Sequence, residues 1–162
     1  MKMKKKKAKP GDFLSIPLPN GRYGFGKFLG SEVSFLDLVS DIEFLSVADL
    51  SGVGELFRAW VDKSALSSRS KWIVIGREEL KDSEKIPNKY FMKDSISGDL
   101  RIYSEDTHDA MSWSEIPATY EECLGLEAAA VWSAEQIESR LMDYFEGREN
   151  KYVQSLALRK PG

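Results

Sequence analysis

Apolar and polar positions alternate from Asp12 to Leu18, stop at Pro19-Asn20-Gly21, and resume from Arg22 to Leu29. That pattern predicts a β-hairpin. Asn-Gly supplies the positive φ angles of a tight turn, and the alternation gives both strands one buried face. Tyr23, Phe25 and Phe28 are the aromatic side chains of the returning strand. Gly24 and Gly26 are unusual inside a strand. They point to a bulge, a sharp bend, or another segment passing close to the backbone.

Further strands are predicted at Val33–Val39 and Ile42–Val47, with a turn at Asp41, and at Leu56–Val61 (LFRAWV). Periodicity alone leaves a short helix open for LFRAWV. Ser51-Gly52-Val53-Gly54 reads as a loop and Ser64–Ser70 as a polar break. Trp72–Ile75 (WIVI) is a compact buried strand ended by Gly76. Pro87–Met92 brings an aromatic patch, Ile96-Ser97-Gly98 a turn, and Leu100–Tyr103 a short strand.

The last third changes period. Ser133 and Gln136 form a capping-box pattern. Ile137, Leu141 and Phe145 then recur at spacing four, and Gly147 is placed to stop a helix of about four turns. Leu124–Trp132 (LGLEAAAVW) is apolar and fits a strand or a helical turn. Tyr152–Leu158 fits a last short element. The expected fold is α+β: a strongly bent antiparallel N-terminal sheet with a C-terminal amphipathic helix packed on it. An SH3-like barrel and an open curled sheet both fit residues 11–103.

At 162 residues, with 42% hydrophobic and 11% aromatic content, the chain suits one domain with its own core. The expected division is a disordered basic leader, 1–10, and a single domain, 11–162. No apolar run reaches the length of a membrane helix, and no signal peptide is expected. The single cysteine, Cys123, excludes an internal disulfide and suits a reducing cytoplasm.

Charge changes the picture more. The net value is −3, but the first nine residues hold six lysines and no acid. The other 17 basic residues face 26 acidic ones. Between Ser104 and Glu149 there are twelve acids against Arg140 and Arg148. Such a region attracts basic partners and repels nucleic acid. The lysine block reads as a solvated leader. A nucleic-acid contact is the alternative, but no aromatic interleaves the lysines to stack on bases.

Candidate chemistry is sparse. His108 is the only histidine, so Glu105, Asp106, His108 and Asp109 make a poor metal set on one short loop. Glu121 and Glu122 beside Cys123 would raise its pKa, against nucleophilic use. Glu127 is an acid inside an apolar stretch. A salt bridge to Arg58, Arg101 or Arg140 is its expected role, and a binding carboxylate the alternative. Gly21, Gly24, Gly26 and Gly30 lack the helix start and Lys-Ser/Thr of a phosphate loop. No catalytic residue, cofactor or metal ligand is assigned.

Three pieces together resemble the immunity protein 26 family of bacterial polymorphic toxin systems: GDFLSIPLPNGRYGFGKFL, LFRAWVDKSAL with WIVIG, and GLEAAAVWSAEQIESRLMDYFEGREN. Residues 77–122 carry the weakest match, and the lysine leader is outside the pattern. The resemblance implies a cytoplasmic protein that binds and neutralises a toxin, and the lack of a catalytic constellation argues against an enzyme. The resemblance carries no site residues over. From charge and aromatic content, the expected toxin-binding residues are Glu105, Asp106, Asp109, Trp113, Tyr120, Glu121, Glu122 and Glu138. The expected partner is a basic cognate toxin, such as a nuclease, with no nucleic acid or membrane, and the expected state is a monomer or weak dimer. The competing reading is a small enzyme or ligand-binding domain with a pocket in the bent sheet, lined by Tyr23, Phe25 and Trp60.

Overall fold

The computed structural model describes residues 5–105 and 113–160. Its first hairpin joins β1 (Asp12–Pro17) to β2 (Tyr23–Phe28), with Pro17 opposite Tyr23 and Phe13 opposite Lys27. Gly21 has φ +83° at the turn, where the Leu18 amide donates to the Arg22 carbonyl at 2.8 Å. A residue with a Cβ rarely adopts that φ.

The other elements follow in order. They are β3 (Val33–Ser40), α1 (Val47–Leu50), β4 (Glu55–Val61), β5 (Ile73–Arg77), β6 (Tyr90–Lys93), β7 (Leu100–Glu105), β8 (Trp113–Ala118), α2 (Tyr120–Cys123), β9 (Glu127–Ala128), β10 (Val131–Trp132), α3 (Ala134–Phe145) and α4 (Lys151–Leu156). Two mixed sheets result, ordered β10-β4-β3-β2-β1-β5 and β8-β7-β6-β9. The fold class is α+β. The larger sheet is open, with β10 and β5 at its edges, so the barrel alternative does not form.

Gly24 and Gly26 do two different things. The β2–β3 register shifts between them, from Gly24 opposite Val39 to Gly26 opposite Phe35, which is a bulge. A Cβ on Gly24 would lie 3.1 Å from Leu141 Cδ1, so Gly24 is also where α3 comes down on the sheet.

The larger sheet is covered on both faces, which is why five consecutive residues of β1 are buried instead of every second one. On one face Leu14, Ile16, Val33, Phe35, Ala59 and Val61 meet Ile137 and Leu141 of α3, with Trp72 and Trp132 alongside. Each large apolar side chain buried there contributes about 1.5–3 kcal/mol. On the other face Phe13, Phe25 and Leu36 meet Leu50, with Leu45 and Val47 packed against them.

That second cover corrects the strand expected at Ile42–Val47. Residues 42–46 carry no strand, and α1 begins at Val47. Ser46 and Asp49 form a capping box, a local helix start that the β-branched and aromatic composition masks. Leu45 and Val47 are apolar because they lid Phe13 and Phe25, not because they extend the sheet, while Ile42 and Phe44 stay exposed.

The α3 helix begins and ends as its pattern predicts. Ser133 Oγ accepts from the Gln136 amide at 3.1 Å, and Gly147 follows the C-cap with φ +74°. Asn150 caps α4 and also donates to Ser139 Oγ and Asp143 Oδ2 of α3. At the other end the chain is tied down from Ala8, which is buried and donates to the Leu66 carbonyl at 2.9 Å.

Candidate functional site

Cross-strand register places Lys27 opposite Ser34, and Ser34 opposite Arg58. Directly opposite residues share a face, so these three form a polar row across β2, β3 and β4. Lys27 is 3% exposed and Arg58 8%. Neither charge reaches enough water to be solvated, so each needs protein partners. The segment 78–88 supplies most of them. Lys27 Nζ donates to Glu84 Oε1 at 2.9 Å and to the Glu79 carbonyl at 3.3 Å. Arg58 donates to Glu55 Oε2 at 2.8 Å, to the Ile86 carbonyl at 2.9 Å and to the Ser83 carbonyl at 3.3 Å.

Glu32, only 2% exposed, completes this network. It accepts from the Tyr90 hydroxyl and the Asn88 amide, and Arg58 Nη1 lies 4.0 Å from its Oε1. Burial raises the Glu32 pKa above the ordinary carboxylate value, with the Tyr90 and Asn88 hydrogen bonds and the Arg58 charge opposing it. A carboxylate whose pKa rises on folding favours the folded state below its unfolded pKa. That contribution is lost as pH climbs through the raised folded value. The stability difference between wild type and Glu32→Gln should therefore change across that interval, measured by urea unfolding at a series of pH values. A flat difference curve would contradict it.

The same network seats the second sheet. Trp60 of β4 stacks on Tyr90 at 4.2 Å and meets Tyr103 edge-on at 5.3 Å. Glu127 finds Arg140, of the three arginines considered, through two bonds of 2.7 and 3.0 Å. The Arg140 guanidinium lies 3.4 Å from the Phe57 ring centroid. This is the salt-bridge role expected for Glu127.

The acidic segment does not stay together. Glu138 lies on α3, where its carboxylate accepts from Trp72 Nε1 at 2.9 Å. Burial raises its pKa, partly offset by that bond. Asp143 and Glu146 pair with Arg148. A second acidic group belongs to the small sheet. Its register puts Glu105 opposite Trp113 and Tyr103 opposite Glu115, so these four share a face. Tyr120, Glu121 and Glu122 follow on α2, which packs against β7. Glu122 is committed locally, since its Oε1 accepts from the Thr119 amide at 2.9 Å in a capping box. Trp113 is 61% exposed on an edge strand. Asp106, His108 and Asp109 lie outside the described residues.

The immunity protein 26 family model matches residues 9–101, more than half the chain. The chain belongs to the immunity protein 26 family. Neither a search of the curated proteins nor one of the solved structures gives a match. Immunity protein 26 membership makes this an immunity protein, and such proteins act by binding a cognate toxin.

The matched region differs from the resembling pieces in two respects. It includes 77–101, part of the stretch 77–122 where the resemblance is weakest, and stops before Gly125–Asn150. The structure gives 77–101 a clear job in this immunity protein 26 fold. It carries Glu84, Asn88 and Tyr90, the partners of the buried Lys27 and Glu32.

The pocket of the competing reading does not assemble. Phe25 is fully buried with Phe13, Leu36 and Leu50, Tyr23 packs on that cluster, and Trp60 is stacked on Tyr90. Two clefts lie elsewhere, one of about 790 Å³ along β5 and one of about 390 Å³ between β4 and residues 125–127. Cys123 is buried, and burial followed by Glu122 pushes its pKa up. Among the described residues, no three His, Cys, Asp or Glu side chains gather as a metal site, and no helix is long and apolar enough to cross a membrane.

Proposed function

We propose that this immunity protein neutralises a basic toxin in the cytoplasm through the β7–β8–α2 surface. The observation that carries the reading is Trp113, a large ring 61% exposed on an edge strand, with Glu105 and Glu115 on the same face. Exposed aromatic anchors ringed by charge are what tight protein interfaces bury at their centre. The carboxylates steer a cationic partner toward that ring. A nuclease toxin fits this chemistry, because its phosphate-binding surface must be basic and an acidic inhibitor competes for it directly. The position of this surface, beyond the matched residues 9–101, also suits a feature specific to one toxin on a shared scaffold.

Co-expression with the toxin encoded beside it should restore growth to cells that the toxin alone arrests. Failure to restore growth, together with no association of the purified proteins at low salt, would rule the reading out.

A further inference from the structure

The outer edge of β5 is the second surface that asks for a partner. β5 ends the larger sheet, and among the described residues no strand pairs on its far side. An unpaired edge offers a row of backbone N–H and C=O groups to any extended chain. The 790 Å³ groove runs along this edge. Its floor is apolar, from Trp72 to Ile75, with Phe44 on its rim at 53% exposure.

The exposed charge lining the groove has one sign. Lys5, Lys6, Lys7, Lys9 and Arg77 face it. The one acid, Asp12, is buried and accepts from the Lys9 amide at 2.7 Å. Among the described residues none of the four lysines forms an ion pair. Nor is the lysine segment placed there by chance of a loose tail, since Ala8 anchors it through the Leu66 carbonyl.

We propose that the β5 edge receives an extended acidic segment of a partner protein as an added strand. Main-chain hydrogen bonds to β5 would give affinity, and carboxylates on the added strand would meet the lysines. Lysines beside an edge also discourage pairing with neutral or basic strands, including a second copy of β5. The same charges therefore select an acidic occupant. Nucleic acid fits less well, because base stacking needs aromatic platforms and Phe44 is the one exposed ring here. The occupant is acidic where the proposed toxin surface is basic, so this inference stands apart from the toxin reading. Trp113→Ala tests the toxin surface and leaves this groove intact.

The test is fluorescence anisotropy of the full chain with a labelled peptide alternating Glu and Val, at low salt. The Glu-Val peptide should bind and its Lys-Val counterpart should not. Methylating alternate backbone amides of the Glu-Val peptide should weaken binding about tenfold, the loss of one or two main-chain hydrogen bonds. Changing Lys5, Lys6, Lys7 and Lys9 to Glu should abolish binding with an unchanged melting curve, since these side chains are exposed. Phe44→Ser should weaken it. Absence of Glu-Val binding, equal binding of the methylated peptide, or preferential binding of an oligo-dT strand would each overturn the proposal. The last would assign the groove to nucleic acid.

Discussion

Arg58→Met is expected to lower the free energy of unfolding by about 3–5 kcal/mol, the cost of breaking a buried charged pair from one side. Methionine fills much of the volume but donates nothing. The Ile86 and Ser83 carbonyls lose their donor, and Glu32 loses the cation 4.0 Å from it. The measurement is urea unfolding, with the melting temperature falling by at least several degrees. Two controls separate this from simple mispacking. With the guanidinium gone, Glu32 has still more reason to take a proton, so the cost should be larger at alkaline than at acid pH. Adding Glu32→Gln should then recover part of the loss, because the pair is coupled. A cost below about 1 kcal/mol at every pH would mean that Arg58 behaves as a solvent-exposed ion pair does.

The network behind that expectation was invisible along the chain, and the reason is distance. Glu32 and Tyr90 are separated by 58 positions, and Lys27 and Glu84 by 57. Before β3, Glu32 reads as one more polar residue after Gly30-Ser31. Nothing local says that segment 78–88 will fold over it. Features set by near neighbours were legible. The 12–28 hairpin, the 56–61 strand and the Ser133 cap all formed where turn chemistry and period put them. Glu127 was legible too, because a carboxylate inside an apolar run needs a cation, and Arg140 provides it. Ile42–Val47 misled, because an apolar lid and a strand share a composition.

The candidate surface was legible in part. Counting charge between Ser104 and Glu149 gives one acidic region, yet packing divides it between α3 and the small sheet. Glu138 lies on α3, and its carboxylate is already bonded to Trp72. β8 gave little pattern of its own. WSEIPA contains Pro117, and an edge strand exposed through most of its length has no buried face to create alternation.

Those distinctions decide how the toxin surface should be probed. Trp113→Ala should weaken the toxin complex by about 2–4 kcal/mol, about 30- to 1,000-fold in affinity, mostly through faster dissociation. Trp113 is 61% exposed before binding, so the fold should not register its loss. Glu115→Lys with Glu121→Lys should act on the other rate. Association should slow at low salt, and the difference from wild type should shrink as salt screens the charges. Glu122 is left untouched because its carboxylate caps α2, and reversing it would confuse steering with loss of a helix start. Glu138→Gln serves as the internal contrast. It removes a charge from the same acidic segment, but one on α3 that is already bonded to Trp72, so both rates should stay as in wild type. Surface-plasmon kinetics with the purified toxin read all of these variants. Equal dissociation rates for wild type and Trp113→Ala would remove the anchor from the interface. A Glu138→Gln effect as large as that of the Glu115 and Glu121 reversals would place the toxin on α3 instead.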